Sequence, residues 1–238
     1  KKQLHGVSFS ATNFSTGSVV SFLDGDSTIK PWVRPDRLGI MAHLSPKHVL
    51  ASSAIPAIFK LVEIDGAYYG DGSTRVSLPL SPAIHLGADK ILAIDMRSGP
   101  IVKHETPAKE NRYPPFGEIL GTLLEALFSD SFDRDLERLH IVNQLIEHSP
   151  TDYPNWRPVS TMVIRPSKDL GLMAGDIYEA LSLQLRRILN VLGASREESI
   201  NLLSHLAFET VYTERLLELG RQDALAKRDE LLAFFGYK

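Results

Sequence analysis

Apolar and polar positions along the chain fall into three regimes. The first runs to about residue 95 and reads as strands and turns. Leu4–Thr12 alternates partly, with Leu4, Val7 and Phe9 apolar. Ser18–Leu23 is a second apolar run, and the turn-rich Asn13–Gly17 between them predicts a hairpin. Asp24–Pro35 is polar and carries proline, so it reads as a loop. Pro46 can start a helix with Ser45 as its N-cap, and Pro56 ends that segment. Ile58–Ile64 and Ala67-Tyr68-Tyr69 read as two short strands joined at Asp65-Gly66, a strong hairpin dipeptide. A short helix follows over Ala83–Leu86, with Gly87 as its C-cap. Lys90–Asp95 reads as a buried strand of the parallel type.

The second regime begins with an aperiodic, proline-bearing stretch from Arg97 to Pro115, a surface loop by its composition. Apolar residues at helical spacing then run from Ile119 to Ile146. This predicts one long helix, or two broken near Ser129-Asp130-Ser131. Val159–Arg165 is a further strand. In the third regime, Leu172–Lys238 is nearly all helical by its spacing. Gly193 and Gly220 are its expected stops, and Ser195 with Glu198 offers a capping box.

Composition narrows the chemistry. The 238 residues are enough for a sizeable core, and 43% hydrophobic with 23% charged residues is ordinary for a globular protein. A net charge of −3 gives no bulk attraction to nucleic acid. The absence of cysteine excludes disulfides, a thiol nucleophile and thiolate metal sites. It fits a reducing compartment, and a cytoplasmic location is the expectation. No run reaches the length of a membrane span. None of the eight histidines forms an H-E-x-x-H pair. Most lie in or beside amphipathic segments and read as surface or core-edge residues.

The stretch Ala51–Asp95 carries the strongest signal. It holds Ala51-Ser52-Ser53-Ala54-Ile55-Pro56, then Gly70-Asp71-Gly72, then Leu78-Pro79-Leu80-Ser81-Pro82-Ala83, then Leu86-Gly87-Ala88-Asp89 and an apolar strand. This order and spacing resembles the second half of the patatin-like phospholipase domain, in its bacterial form. Ala11-Thr12-Asn13 and Leu219-Gly220-Arg221-Gln222-Asp223-Ala224 add to the likeness. The fold expected is α/β, a mainly parallel sheet sandwiched by helices. Residues 1–168 would be the C-terminal portion of the patatin-like domain and 169–238 a helical extension packed on it.

The resemblance implies that Asp71 is the carboxylate of a Ser–Asp catalytic dyad, flanked by Gly70 and Gly72. The implied activity is hydrolysis of phospholipid, lysophospholipid or neutral-lipid esters, with no metal and no cofactor. Ser53, Ala54, Ile55, Pro56 and Phe59 are candidates for the acyl pocket, against a plain reading as helix-end packing. The expected partners are the lipid ester and, transiently, a membrane surface.

Two departures stand out. Ser73 replaces the glycine that commonly follows Asp-Gly in the family, and Ser77 stands where many members have asparagine. More important, the family's G-x-S-x-G nucleophile elbow and Gly-rich oxyanion loop are absent from this sequence. The expectation is therefore a C-terminal part of a longer protein, completed by a nucleophile-bearing N-terminal part or by another copy of the chain. The alternative is a catalytically inactive lipid-binding or scaffold module.

Overall fold

The computed structural model describes residues 4–56, 58–75, 79–97, 116–149, 156–176 and 209–237, with Tyr178, Leu181, Leu183, Arg186 and Arg187. In chain order the elements are β1 (Gly6–Asn13), β2 (Val19–Gly25), β3 (Trp32–Arg34), β4 (Arg37–Met41), α1 (Pro46–Ser52), β5 (Val62–Ile64) and β6 (Ala67–Asp71). A 3-10 turn over Gly72–Thr74 follows, then α2 (Ser81–His85), β7 (Lys90–Ile94), α3 (Phe116–His148) and β8 (Ser160–Ile164). The described chain closes with α4 (Leu170–Gly175), α5 (Thr210–Ala226) and α6 (Arg228–Phe235). Two compact units form: Lys1–Ile91 with Leu127–Ser160, and Leu92–Ala126 with Thr161–Lys238.

The first unit is built on a six-stranded sheet of order β3-β4-β2-β1-β6-β5. This corrects the expected mainly parallel sheet. Only β2 and β4 pair parallel; β1–β2, β1–β6, β3–β4 and β5–β6 are all antiparallel. The connections explain the directions. Phe14–Ser18, Pro35-Asp36 and Asp65-Gly66 are too short for anything but antiparallel neighbours. Between β2 and β4 the chain has the whole of Asp26–Asp36 in which to turn back, and a parallel pair results.

Strands β3 and β4 were not legible as strands, although Pro35-Asp36 between two short apolar runs is a turn signal. The expected strand over 58–64 shortens to β5. Its turn has φ of 49° at Asp65 and 78° at Gly66, the two positive values of a type I′ hairpin. Gly66→Ala meets no neighbouring atom there. Its expected cost of about 1 kcal/mol comes from backbone strain alone, measurable by urea unfolding.

Alternation gives the sheet two different faces. Val20, Phe22, Ala11, Ile64 and Tyr69 pack with Ala51 of α1 on one side. Leu23, Ile29 and Trp32 pack with Leu86 on the other. Strand β1 gives Ala11 to the face that α1 covers and lies next to β6, and this places the end of β6 beside α1.

Strands β7 and β8 form a separate two-stranded sheet. Ser160 N–H donates to the Asp89 carbonyl at 2.9 Å and Asp95 N–H to that of Ile164 at 3.0 Å, so both chains advance together in a parallel pair. The strand is half-buried rather than buried throughout: Ile91 and Ala93 are covered, whereas Ile94 is 75% exposed. Helix α3, between the two strands in sequence, is continuous through Ser129-Asp130-Ser131.

In the second unit, α5 runs through Gly220 instead of stopping there. A mid-helix glycine costs only about 1 kcal/mol. Arg221 and Gln222 both bond back to Glu218 across it. The break falls at Lys227, and Gly236, at φ 79°, closes α6. The expected helices around Ile177–Leu192 and from Leu202, with the stop at Gly193 and the capping box at Ser195, lie largely outside the described residues.

Tyr212 of α5 is buried and its hydroxyl donates to the Leu170 carbonyl at 3.0 Å. Burial, with Asp169 adding to it, pushes this phenol up to about 12. The folded state therefore holds the proton more tightly than the unfolded chain. Stability from this group is full below pH 10 and is lost as pH rises from 10 through 12. Tyr212→Phe should flatten that part of the stability–pH curve, read from melting temperatures across the range.

Candidate functional site

The site is assembled where the end of α1 meets the end of β6. Ser45 caps α1, and the buried His48 completes the cap: its Nδ1 accepts from Ser45 N–H at 3.0 Å. The His48 ring stands edge-on to Phe22, with centroids 4.7 Å apart. This histidine is a core and capping group. His85 is stacked on Trp32 at 4.4 Å, and burial, then Arg34 and Arg37, hold its pKa below the usual imidazole value.

Helix α1 ends at Ser52, and the chain turns through Ser53 and Ala54. The Ala54 carbonyl accepts the Asp71 N–H at 2.8 Å. On its other side β6 pairs with β1, Ala11 opposite Asp71 and Thr12 opposite Gly70. The Thr12 hydroxyl, itself buried, donates to the Asp71 carbonyl at 3.0 Å. Asp71 is thus fixed at its backbone from two elements.

Its two glycine neighbours are required by space. A Cβ at Gly72 would lie 2.5 Å from the Ser10 carbonyl oxygen. A Cβ at Gly70 would lie 2.8 Å from both Phe14 and Leu61. Neither glycine has a positive φ. Close approach, and not unusual torsion, selects glycine here.

The Asp71 side chain is half-buried and caps the 3-10 turn. Its Oδ1 accepts from Ser73 N–H at 2.8 Å and from the Ser73 hydroxyl at 2.5 Å. Oδ2 accepts nothing from the described residues. One oxygen thus anchors the carboxylate to the turn. The Ser73 hydroxyl, added to its backbone N–H, is what makes this anchor double.

The five expected pocket residues separate. Ala54 and Ile55 are buried, Pro56 is half-buried, and Ser53 and Phe59 are exposed. The Ser53 hydroxyl donates back to the Val49 carbonyl at 3.1 Å, a helix-end role. Val49 and Leu50 of α1 and Phe59 after it are exposed apolar side chains. A cavity of about 340 Å³ in this unit lies elsewhere, with His43, Lys47, His48 and Asp65 in its wall.

Two supports of the motif were not found from sequence. Thr12 was noted only within Ala11-Thr12-Asn13. Asp135 of α3 is buried, and its Oδ2 accepts the Leu80 N–H at 2.9 Å, pinning the start of α2. Burial raises this carboxyl above its ordinary value, opposed by the Leu80 hydrogen bond and by Arg138 and Arg37. An aspartate on a helical stripe between Phe132, Leu136 and Leu139 was the available signal.

No helix among the described residues is long and apolar enough to cross a membrane. A scan against models of known protein families finds no match to this chain, and a search of curated proteins finds no similar sequence.

Proposed function

We propose that this chain carries the carboxylate half of a Ser–Asp dyad in a patatin-like lipid acyl hydrolase. The nucleophile would be supplied by polypeptide outside this sequence. The observation that carries the reading is the half-anchored Asp71: a backbone hydrogen-bonded to Ala54, one oxygen tied to Ser73, and one that accepts nothing from the described residues. A serine hydroxyl placed at that open oxygen would lose its proton to Asp71 as it attacks an ester carbonyl. The same proton would then pass to the departing alcohol or lysolipid. Water would repeat the cycle on the acyl-enzyme. The oxyanion donors would come with the nucleophile-bearing part. The exposed apolar Val49, Leu50 and Phe59, on and just after α1, would suit an acyl chain or brief contact with a lipid surface.

A second reading, an inactive lipid-binding or scaffold module, is favoured by the lack of any G-x-S-x-G in the 238 residues. One comparison separates the two. The purified chain alone should give no turnover of a p-nitrophenyl ester, and none of its serines should react with a fluorophosphonate. The complete protein should do both. An inert complete protein would favour the second reading, and turnover by the chain alone would overturn the dyad as drawn.

A further inference from the structure

The cavity of about 340 Å³ in the first unit lies at the start of α1, whereas Asp71 lies against the turn after that helix. Strand β4 gives Ile40 and Met41 to its wall, the β5–β6 hairpin gives Ile64 and Asp65, and α1 gives Lys47 and His48. More of the lining is polar than apolar. The volume is at the lower end of the roughly 300–1,000 Å³ of small-ligand sites.

Three polar groups in this wall have no task inside the fold. His48 is buried, and its Nδ1 accepts from the Ser45 N–H at 3.0 Å. The neutral ring therefore carries its proton on Nε2. That N–H donates to nothing among the described residues. Lys47 and Asp65 are exposed, at the rim. Neither side chain has a hydrogen-bond or ion-pair partner among the described residues, so two opposite charges share one cavity without meeting.

These charges define the occupant. With the imidazoles neutral, the formal charge of the wall is zero, which matches a ligand carrying one charge of each sign. Charge-assisted hydrogen bonds would hold both of its ends. We propose that this cavity binds a free α-amino acid with an aliphatic side chain. Its carboxylate meets Lys47 and the His48 Nε2–H, its ammonium meets Asp65, and its side chain lies against Ile40, Met41 and Ile64. A dianion such as phosphate fits worse, because Asp65 repels it. A metal ion does not fit, since among the described residues no three histidine, aspartate or glutamate side chains are placed to hold one.

The test is calorimetric titration of the full chain with leucine, with 4-methylpentanoate, which lacks the ammonium, with 3-methylbutylamine, which lacks the carboxylate, and with inorganic phosphate. Leucine should bind saturably at one site. Each single-charge analogue should bind at least about tenfold more weakly, and phosphate should not bind. Asp65→Asn should erase the preference for leucine over 4-methylpentanoate, and Lys47→Gln the preference over 3-methylbutylamine. Both positions are exposed, so both variants should keep the fold, which a thermal melt checks. Lys168→Gln, in the other unit, should change nothing. An unsaturable leucine isotherm, equal binding of either analogue, or leucine binding unaltered by both cavity substitutions would overturn the proposal. So would phosphate binding without leucine binding. The titration needs no ester hydrolysis, so its failure would leave the dyad reading where it stands.

Discussion

Asp71→Asn in the complete protein should lower turnover by roughly 10²–10⁴, the ordinary worth of a positioned general base, while the fold and substrate binding persist. The amide keeps an Oδ1 that can still accept from Ser73 N–H, so the 3-10 turn should survive. What it loses is the oxygen that takes the serine proton. Two other aspartates provide controls. Asp65 sits in the hairpin turn, where asparagine is equally at home at positive φ. Asp89 pairs with Arg157 at 2.6 Å on the exposed surface. Neither substitution should cost much rate. The comparison is steady-state hydrolysis of one short-chain ester by the three variants, with circular dichroism to confirm folding. Near-full activity in Asp71→Asn, or equal losses in the controls, would contradict the dyad and point to another base, such as a histidine.

Phe22→Ala should be the most destabilising change in the first unit, costing about 3–5 kcal/mol. Phe22 is 1% exposed in the middle strand of the face that α1 covers. It makes edge-to-face contacts with His48 at 4.7 Å and Tyr69 at 5.2 Å. Truncation removes both contacts and leaves a cavity between α1 and the sheet, next to the strand that carries Asp71. Val33→Ala, at a position 71% exposed on the edge strand, should change stability by no more than about 0.5 kcal/mol. Urea unfolding of the two variants measures the contrast. Equal midpoints would mean that the packing between α1 and the sheet is not what holds this unit together.

Local chemistry was legible and pairing was not. The hairpin of β1 and β2 could be read because alternation flanks a run of turn residues, and β5–β6 because Asp65-Gly66 can adopt two positive φ values. Both signals lie within a few residues. The parallel partnership of β2 with β4 depends on where the connection carries the chain, and Asp24–Pro35 reads from sequence as a polar, proline-bearing loop. A strand also does not announce its partner. Lys90–Asp95 looked like a member of a large parallel sheet, yet among the described residues it pairs with β8 alone, and Ile94 is left exposed.

The same division holds at the site. Gly70-Asp71-Gly72 was legible because tight approach leaves glycine as its signature. The groups that hold Asp71 and the following segment come from far away in sequence: Thr12 reaches Asp71, and Asp135 reaches Leu80. The pocket residues illustrate the converse. Ser53-Ala54-Ile55-Pro56 is one motif in sequence, but the turn that follows the helix buries only Ala54 and Ile55 and leaves Ser53 exposed.

The central claim is that Asp71 activates a serine, and labelling of that serine tests it most directly. The complete protein would be treated with a fluorophosphonate, digested, and the modified residue located by mass spectrometry, with the rate of modification followed in parallel for Asp71→Asn. The account predicts one labelled serine, within a G-x-S-x-G outside this sequence, modified at least about 10² more slowly when Asp71 is asparagine. A labelled serine within this sequence, or a labelling rate indifferent to Asp71, would contradict it.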